Sequence, residues 1–121
     1  MKVFKMTIAI MAVLSCLLVT SCDDDDDDLI GKFYRVSDFD GLARGHAASF
    51  QIGNKGYLYG GHNGKTYRLS DLWEYDMEKD FWTQKADLPG SARNSAVGFA
   101  VNNKGYVGTG FDGTNYLKDF W

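Results

Sequence analysis

Few side chains in this 121-residue sequence are suited to chemistry, and they are scattered. The only imidazoles are His46 and His62, and the only thiols are Cys16 and Cys22. A metal site needs three or four converging ligands. Neither histidine has a second ligand at helical or hairpin spacing, so both read as polar strand-end or loop residues. "GTGFDG", Gly108–Gly113, matches the spacing G-x-G-x-x-G. A dinucleotide turn of that kind needs a helix directly after it to hold the pyrophosphate, whereas here "TNYLKDFW" leads into a strand. There is no G-x-S-x-G elbow, no H-E-x-x-H pair and no cysteine–histidine couple. Arg44 and Arg93 could bind anions, but both stand just before a predicted first strand, where an arginine can tie a loop together. No catalytic residue, cofactor or metal ligand is assigned.

What must position these groups is a repeat. "NKGYLYGG" (Asn54–Gly61) returns as "NKGYVGTG" (Asn103–Gly110). Laying Phe33–Trp73 over Trp82–Trp121, with a one-residue gap at Arg68, makes 16 of 40 pairs identical, among them Arg44/Arg93, Phe50/Phe99, Gly56/Gly105, Tyr67/Tyr116, Asp71/Asp119 and Trp73/Trp121. "HAASFQI" turns through "GNKG" into "YLYGG", and "AVGFAV" turns through "NNKG" into "YVGTG"; each is a short apolar run on a hairpin turn. "LWEYDM" and "FWTQKA" complete the first unit. The predicted strands are 47–52, 56–60, 72–77 and 81–85, with an outer strand at 33–36 and no helix after Cys22.

The step of 49 residues and the diglycine Gly60-Gly61 followed by Tyr75 and Trp82 resemble the kelch repeat, the four-stranded blade of a β-propeller. The second repeat departs from that pattern in carrying Thr109 in place of the first glycine. The fold class expected is therefore all-β, with about one and a half kelch-type propeller blades over 33–121. Propellers close with four to eight blades, so the chain reads as the front end of a longer one. Phe50, Tyr57, Tyr59, Trp73 and Trp82 need neighbours to cover them, because a blade is apolar on both faces.

Before the repeat, residues 1–21 carry Lys2, Lys5 and the apolar run "MTIAIMAVLSCLLV", which is short for a membrane span and suits a secretory signal. "VTSC" at Val19–Cys22 resembles the lipobox of bacterial lipoproteins, which implies that Cys22 is lipidated. Residues 22–32 then form a linker with six consecutive aspartates, Asp23–Asp28. Six adjacent carboxylates repel one another and stay solvated, and no glycine turn is present to fold them around a calcium ion. Acidic residues directly after the cysteine resemble the surface-export signal of Bacteroidetes lipoproteins, which implies an outer-membrane lipoprotein facing the cell exterior.

Removing Lys2 and Lys5 with the signal leaves 11 basic side chains, against 10 acidic once the six aspartates are set aside. A nearly neutral domain lacks the electrostatic footprint of a nucleic-acid binder. Positions that differ between repeats are free to specialise, and long loops on a rigid scaffold are where binding sits. Since strands alternate in direction, the loop after strand two shares a face with the loop before strand one. The ligand-binding candidates on that face are Asn63, Lys65, Thr66, Arg68, Asp112, Thr114 and Asn115. The expected function is non-catalytic binding of a protein or glycan. The alternatives are the front part of a sugar-active propeller enzyme, like galactose oxidase or sialic-acid epimerases, and a truncated fragment without a function of its own.

Overall fold

Each duplicated "NKGY" forms one side of a tight hairpin. The computed structural model describes residues 32–64 and 67–121, of which Arg35–Trp121 make one compact unit. Strands β1 (Ala48–Ile52) and β2 (Lys55–Tyr59) pair antiparallel, as do β5 (Val97–Val101) and β6 (Lys104–Gly108). The primed turns that suit twisted hairpins need positive φ. Gly53 supplies it in the first (φ 57°), and Asn102 and Asn103 (50° and 60°) supply it in the second.

β3 (Leu72–Asp76) and β4 (Phe81–Gln84) extend the first hairpin into a four-stranded meander, β1-β2-β3-β4. In the second repeat, the β5–β6 pair gains the start of the same third strand. Val107 and Trp121 exchange both backbone hydrogen bonds (3.1 and 2.9 Å), just as Leu58 sits opposite Trp73. The architecture is all-β, and among the described residues no helix is long and apolar enough to cross a membrane. The predicted strands fall within a residue or so of the observed ones.

One expected element is absent. Residues 32–40 form no strand, so the outer strand expected at Phe33–Val36 is corrected to an irregular segment. Side chains rather than a backbone ladder tie its later part down. The Ser37 N–H donates to Asp80 Oδ1 (2.8 Å), and the Phe39 ring meets Trp73 and Trp82 edge-on, at 5.2 and 4.9 Å between centroids. Phe39 thus covers two of the tryptophans on the front face of the first blade.

The other face of that blade is covered by the second. Strand β1 lies against β5 and β6, and the core sits between the blades: Ala48, Tyr59 and Val107 are buried, with Phe50, Leu72, Leu88 and Ala96 packed around them. A side chain at Gly105 would run into the Phe50 ring, and Gly98 approaches the Ser49 carbonyl and the same ring. The glycines therefore let one sheet lie directly on the next.

Candidate functional site

The loop face is built by the same device in both repeats. The Arg44 guanidinium, only 3% exposed, grips Asp71 with two hydrogen bonds (2.5 and 2.8 Å) and also donates to the carbonyls of Leu42 and Gly60. Trp73 Nε1 donates to the same carboxylate at 2.7 Å. Arg93, fully buried, repeats this by donating to Asp119 (2.6 and 2.8 Å) and to the carbonyls of Ser91 and Thr109, and Trp121 Nε1 donates to the Asp119 carboxylate at 3.0 Å. Both arginines tie the loop before strand one to the exit of strand two. Four of the five N–H donors of each guanidinium are taken and its charge is paired with a carboxylate, so both serve as ties rather than anion sites.

The carboxylates report the same bonds. Burial alone pushes Asp71 up, but the hydrogen bonds from Arg44 and Trp73 outweigh it and hold the group below the usual carboxylate range. The Arg93 hydrogen bond holds Asp119 far below that range.

With the clasps closed, the loops before strand one and after strand two are joined directly. Gly45 and His62 exchange backbone hydrogen bonds (2.9 and 3.0 Å), as do Asn94 and Phe111 (3.1 and 2.9 Å). Both pairs of loops therefore share one face, as the alternation of strand direction requires.

On this face Asp112 Oδ1 accepts from the backbone N–H groups of Thr114 (2.8 Å) and Asn115 (2.7 Å). Those two bonds hold the Asp112 carboxyl below its usual range and close an Asx turn. Asp112, Thr114 and Asn115 are thus brought together, and the two exposed side chains are those of Thr114 and Asn115. Asn63 is half-buried, and its Oδ1 has no partner among the described residues.

Arg68 is held differently. Its Nε donates to Asn94 Oδ1 at 2.9 Å, and its guanidinium lies 4.9 Å from the centre of the Phe111 ring, so it links the loops of the two blades. Lys65, Thr66, Cys22 and the segments 1–21 and 23–28 lie outside the described residues.

Two features went unread in the sequence. His46 and His62, sixteen positions apart, stack ring on ring at 5.1 Å, with an interplanar angle of 17°. His62 Nδ1 accepts the Gly64 N–H at 3.0 Å. They meet because their backbones flank the Gly45–His62 bridge, a pairing visible only once the loops are known to join. Among the described residues no group of three histidine, cysteine or carboxylate side chains could hold a metal.

The second feature is Tyr67 and Tyr116, which stand 68% and 88% exposed on the loops. Their identity in the alignment suggested scaffold. The structure instead pairs His62 with Arg68 and Phe111 with Tyr116, so Tyr116 occupies the place of Arg68. The extra residue of the first repeat therefore lies before Arg68, and not at it. A different gap position would have exposed both tyrosines as variable loop residues.

Comparison with known proteins agrees with this architecture. Residues 43–89 match the kelch motif. Among solved structures, the chain resembles the one titled "Structure of YjhT", with a TM-score of 0.59 and 25% identity over 65% of this chain. It spans 24% of that chain. No curated protein matches.

Proposed function

We propose that this chain is a surface lipoprotein whose kelch blades present a loop face for non-catalytic binding of a protein or glycan. One observation carries the binding reading. The clasped loops of the two blades form one face on a double sheet, and that face displays two exposed tyrosines together with the exposed side chains of Thr114 and Asn115. Tyrosine offers a large amphipathic contact at low entropic cost, which suits sugar rings and protein surfaces alike. The polar neighbours supply orientation. The kelch likeness favours an interaction surface, though fold alone does not fix function. The anchor reading rests on "VTSC" and the aspartates after it. A diacylglyceryl group on Cys22 would hold the chain at the outer membrane, with the acidic tract as a solvated spacer toward the exterior.

The test is a glycan array and a panel of purified surface proteins probed with the full chain. Saturable binding is expected, weakened about fivefold or more by Tyr116→Ala, since truncating an anchoring aromatic costs over about 1 kcal/mol at such sites. Binding that ignores both Tyr116→Ala and Asn115→Ala, or chemical turnover of a bound sugar, overturns the reading.

A further inference from the structure

We infer that Asn63 is a self-modification site, at which His62 helps the backbone nitrogen of Gly64 expel the Asn63 side-chain amide as ammonia and leave an aspartyl or isoaspartyl residue on the loop face. The sequence singles the position out. Of the six asparagines only Asn63 precedes a glycine, the residue whose missing β-carbon leaves the backbone nitrogen after an asparagine least hindered. Gly64 takes φ 80°, is exposed, and would meet nothing within 4 Å of an added β-carbon. Its amide stands in open space.

The nucleophile of this rearrangement is that amide nitrogen, which must lose its proton to react. The proton is already directed at a base. Gly64 N–H donates to His62 Nδ1 at 3.0 Å, and a neutral imidazole that accepts at Nδ1 carries its own hydrogen on Nε2. Nδ1 therefore presents the lone pair that general-base catalysis requires, within hydrogen-bond reach of the proton it takes. The ring is held in place from two sides, by the stacked His46 ring at 5.1 Å and by the backbone bridge between Gly45 and His62.

The electrophile is equally available. Asn63 Oδ1 is buried without a hydrogen-bond partner among the described residues. An orphaned buried carbonyl is costly, so turning the carboxamide toward the Gly64 nitrogen breaks no bond to this oxygen. Asn94 shows the contrast. Its Oδ1 accepts from Arg68 Nε (2.9 Å) and its Nδ2 donates to Ser95 Oγ (3.1 Å), which locks the side chain away from the backbone nitrogen after it.

In the reaction the Gly64 N–H bond breaks as its proton passes to His62 Nδ1, and the electron pair left on nitrogen forms a bond to Asn63 Cγ. The tetrahedral carbon collapses by breaking its bond to Nδ2, which takes the proton back from the imidazolium and departs as ammonia. A cyclic imide remains. Water then opens it: cleavage of the bond from the Gly64 nitrogen to Cγ gives aspartate, and cleavage of the bond to the backbone carbonyl carbon gives isoaspartate. Water is the only co-reactant, and nothing is oxidised or reduced.

The aspartate product is what the second repeat already carries. Asp112 stands at the matching position, also before a glycine, Gly113, and its carboxylate closes the Asx turn with Thr114 and Asn115. Modification thus adds one negative charge to the loop of the first blade at the place where the second blade has its own.

The full chain held in neutral buffer tests this. Cleavage after Lys55 and Lys65 releases Gly56–Lys65, in which mass spectrometry reads the replacement of amide by carboxyl and chromatography separates aspartate from isoaspartate. Asn63 should convert before any other asparagine and yield both products. His62→Phe keeps a stacked ring and His62→Gln keeps an acceptor, but neither can take the proton. Each should slow conversion about tenfold, less than the roughly hundredfold at the low end of general-base catalysis, because dissolved bases still reach an exposed glycine. The wild-type chain in urea, where the imidazole is no longer positioned, should react more slowly than the folded chain, and there the variants should match it. The urea comparison decides even where circular dichroism shows a variant unfolded. A folded chain that reacts more slowly than the unfolded one overturns the proposal, as do folded His62 variants that convert at the wild-type rate or a product without isoaspartate.

Discussion

The two blades use one clasp but surround it differently. Arg44 with Asp71 and Trp73 superposes in kind on Arg93 with Asp119 and Trp121, down to the backbone carbonyls each guanidinium takes. The loops beyond it share little: stacked histidines in one, a phenylalanine–tyrosine pair around an Asx turn in the other. The part that recurs fixes the exit of the second strand. The part that varies is where the surface can acquire a partner.

The largest expected effect breaks the clasp. Asp71→Ala leaves the Arg44 charge buried without its carboxylate, which costs about 3–5 kcal/mol where a buried pair loses one member. Asp119→Ala should cost less, because Asp119 is 39% exposed against 17% for Asp71 and water already screens it. Urea unfolding of both variants ranks them, and an equal or larger loss at Asp119 breaks the comparison. The clasp also predicts acid sensitivity. Both carboxyls sit below their unfolded values in the folded chain. Their contribution is therefore complete above the unfolded pKa of about 3.9 and is lost as pH falls from there toward the folded values. Stability measured between pH 6 and pH 3 should fall more steeply in the wild type than in Asp71→Asn.

The next effect tests a place where the blades share a backbone shape but not a residue. Gly60 and Thr109 both take positive φ (62° and 60°). A left-handed conformation costs a side-chain-bearing residue about 1–2 kcal/mol. Gly60→Ala adds to that a collision with the Arg93 carbonyl, so a loss above about 2 kcal/mol is expected. Thr109→Gly should raise stability by up to about 1 kcal/mol, the relief being partly offset by the greater freedom glycine has when unfolded. Thermal melts of the two variants should therefore shift in opposite directions.

Much of this scaffold was legible before any coordinates. Hairpin turns, strand alternation and the recurring Arg, Asp and Trp are local or periodic signals, and each strand followed them. The segment 33–36 misled because its aromatics suit a strand, yet Phe39 and Ser37 hold the chain nearby through side chains instead. The site was less legible. Arg68 reads as a free cation until Asn94 and Phe111, more than twenty positions away, come up against it. The histidine stack and the true place of Tyr116 likewise depend on contacts between loops, which carry no period in the sequence.

The smallest effect concerns those loops. His62→Phe installs at the first blade the residue that the second uses at Phe111. It keeps an aromatic face against His46 and removes only the Nδ1 acceptor that takes the Gly64 N–H in an exposed turn. Water can replace that acceptor, so a loss of about 0.5 kcal/mol is expected, at the low end for a hydrogen bond. Urea unfolding measures it, and Asp71→Ala supplies the scale. A loss approaching that of the clasp would mean the histidine pair belongs to the recurring scaffold. A small loss places it with the variable loops, where a residue can change its partner while the blade beneath keeps its shape.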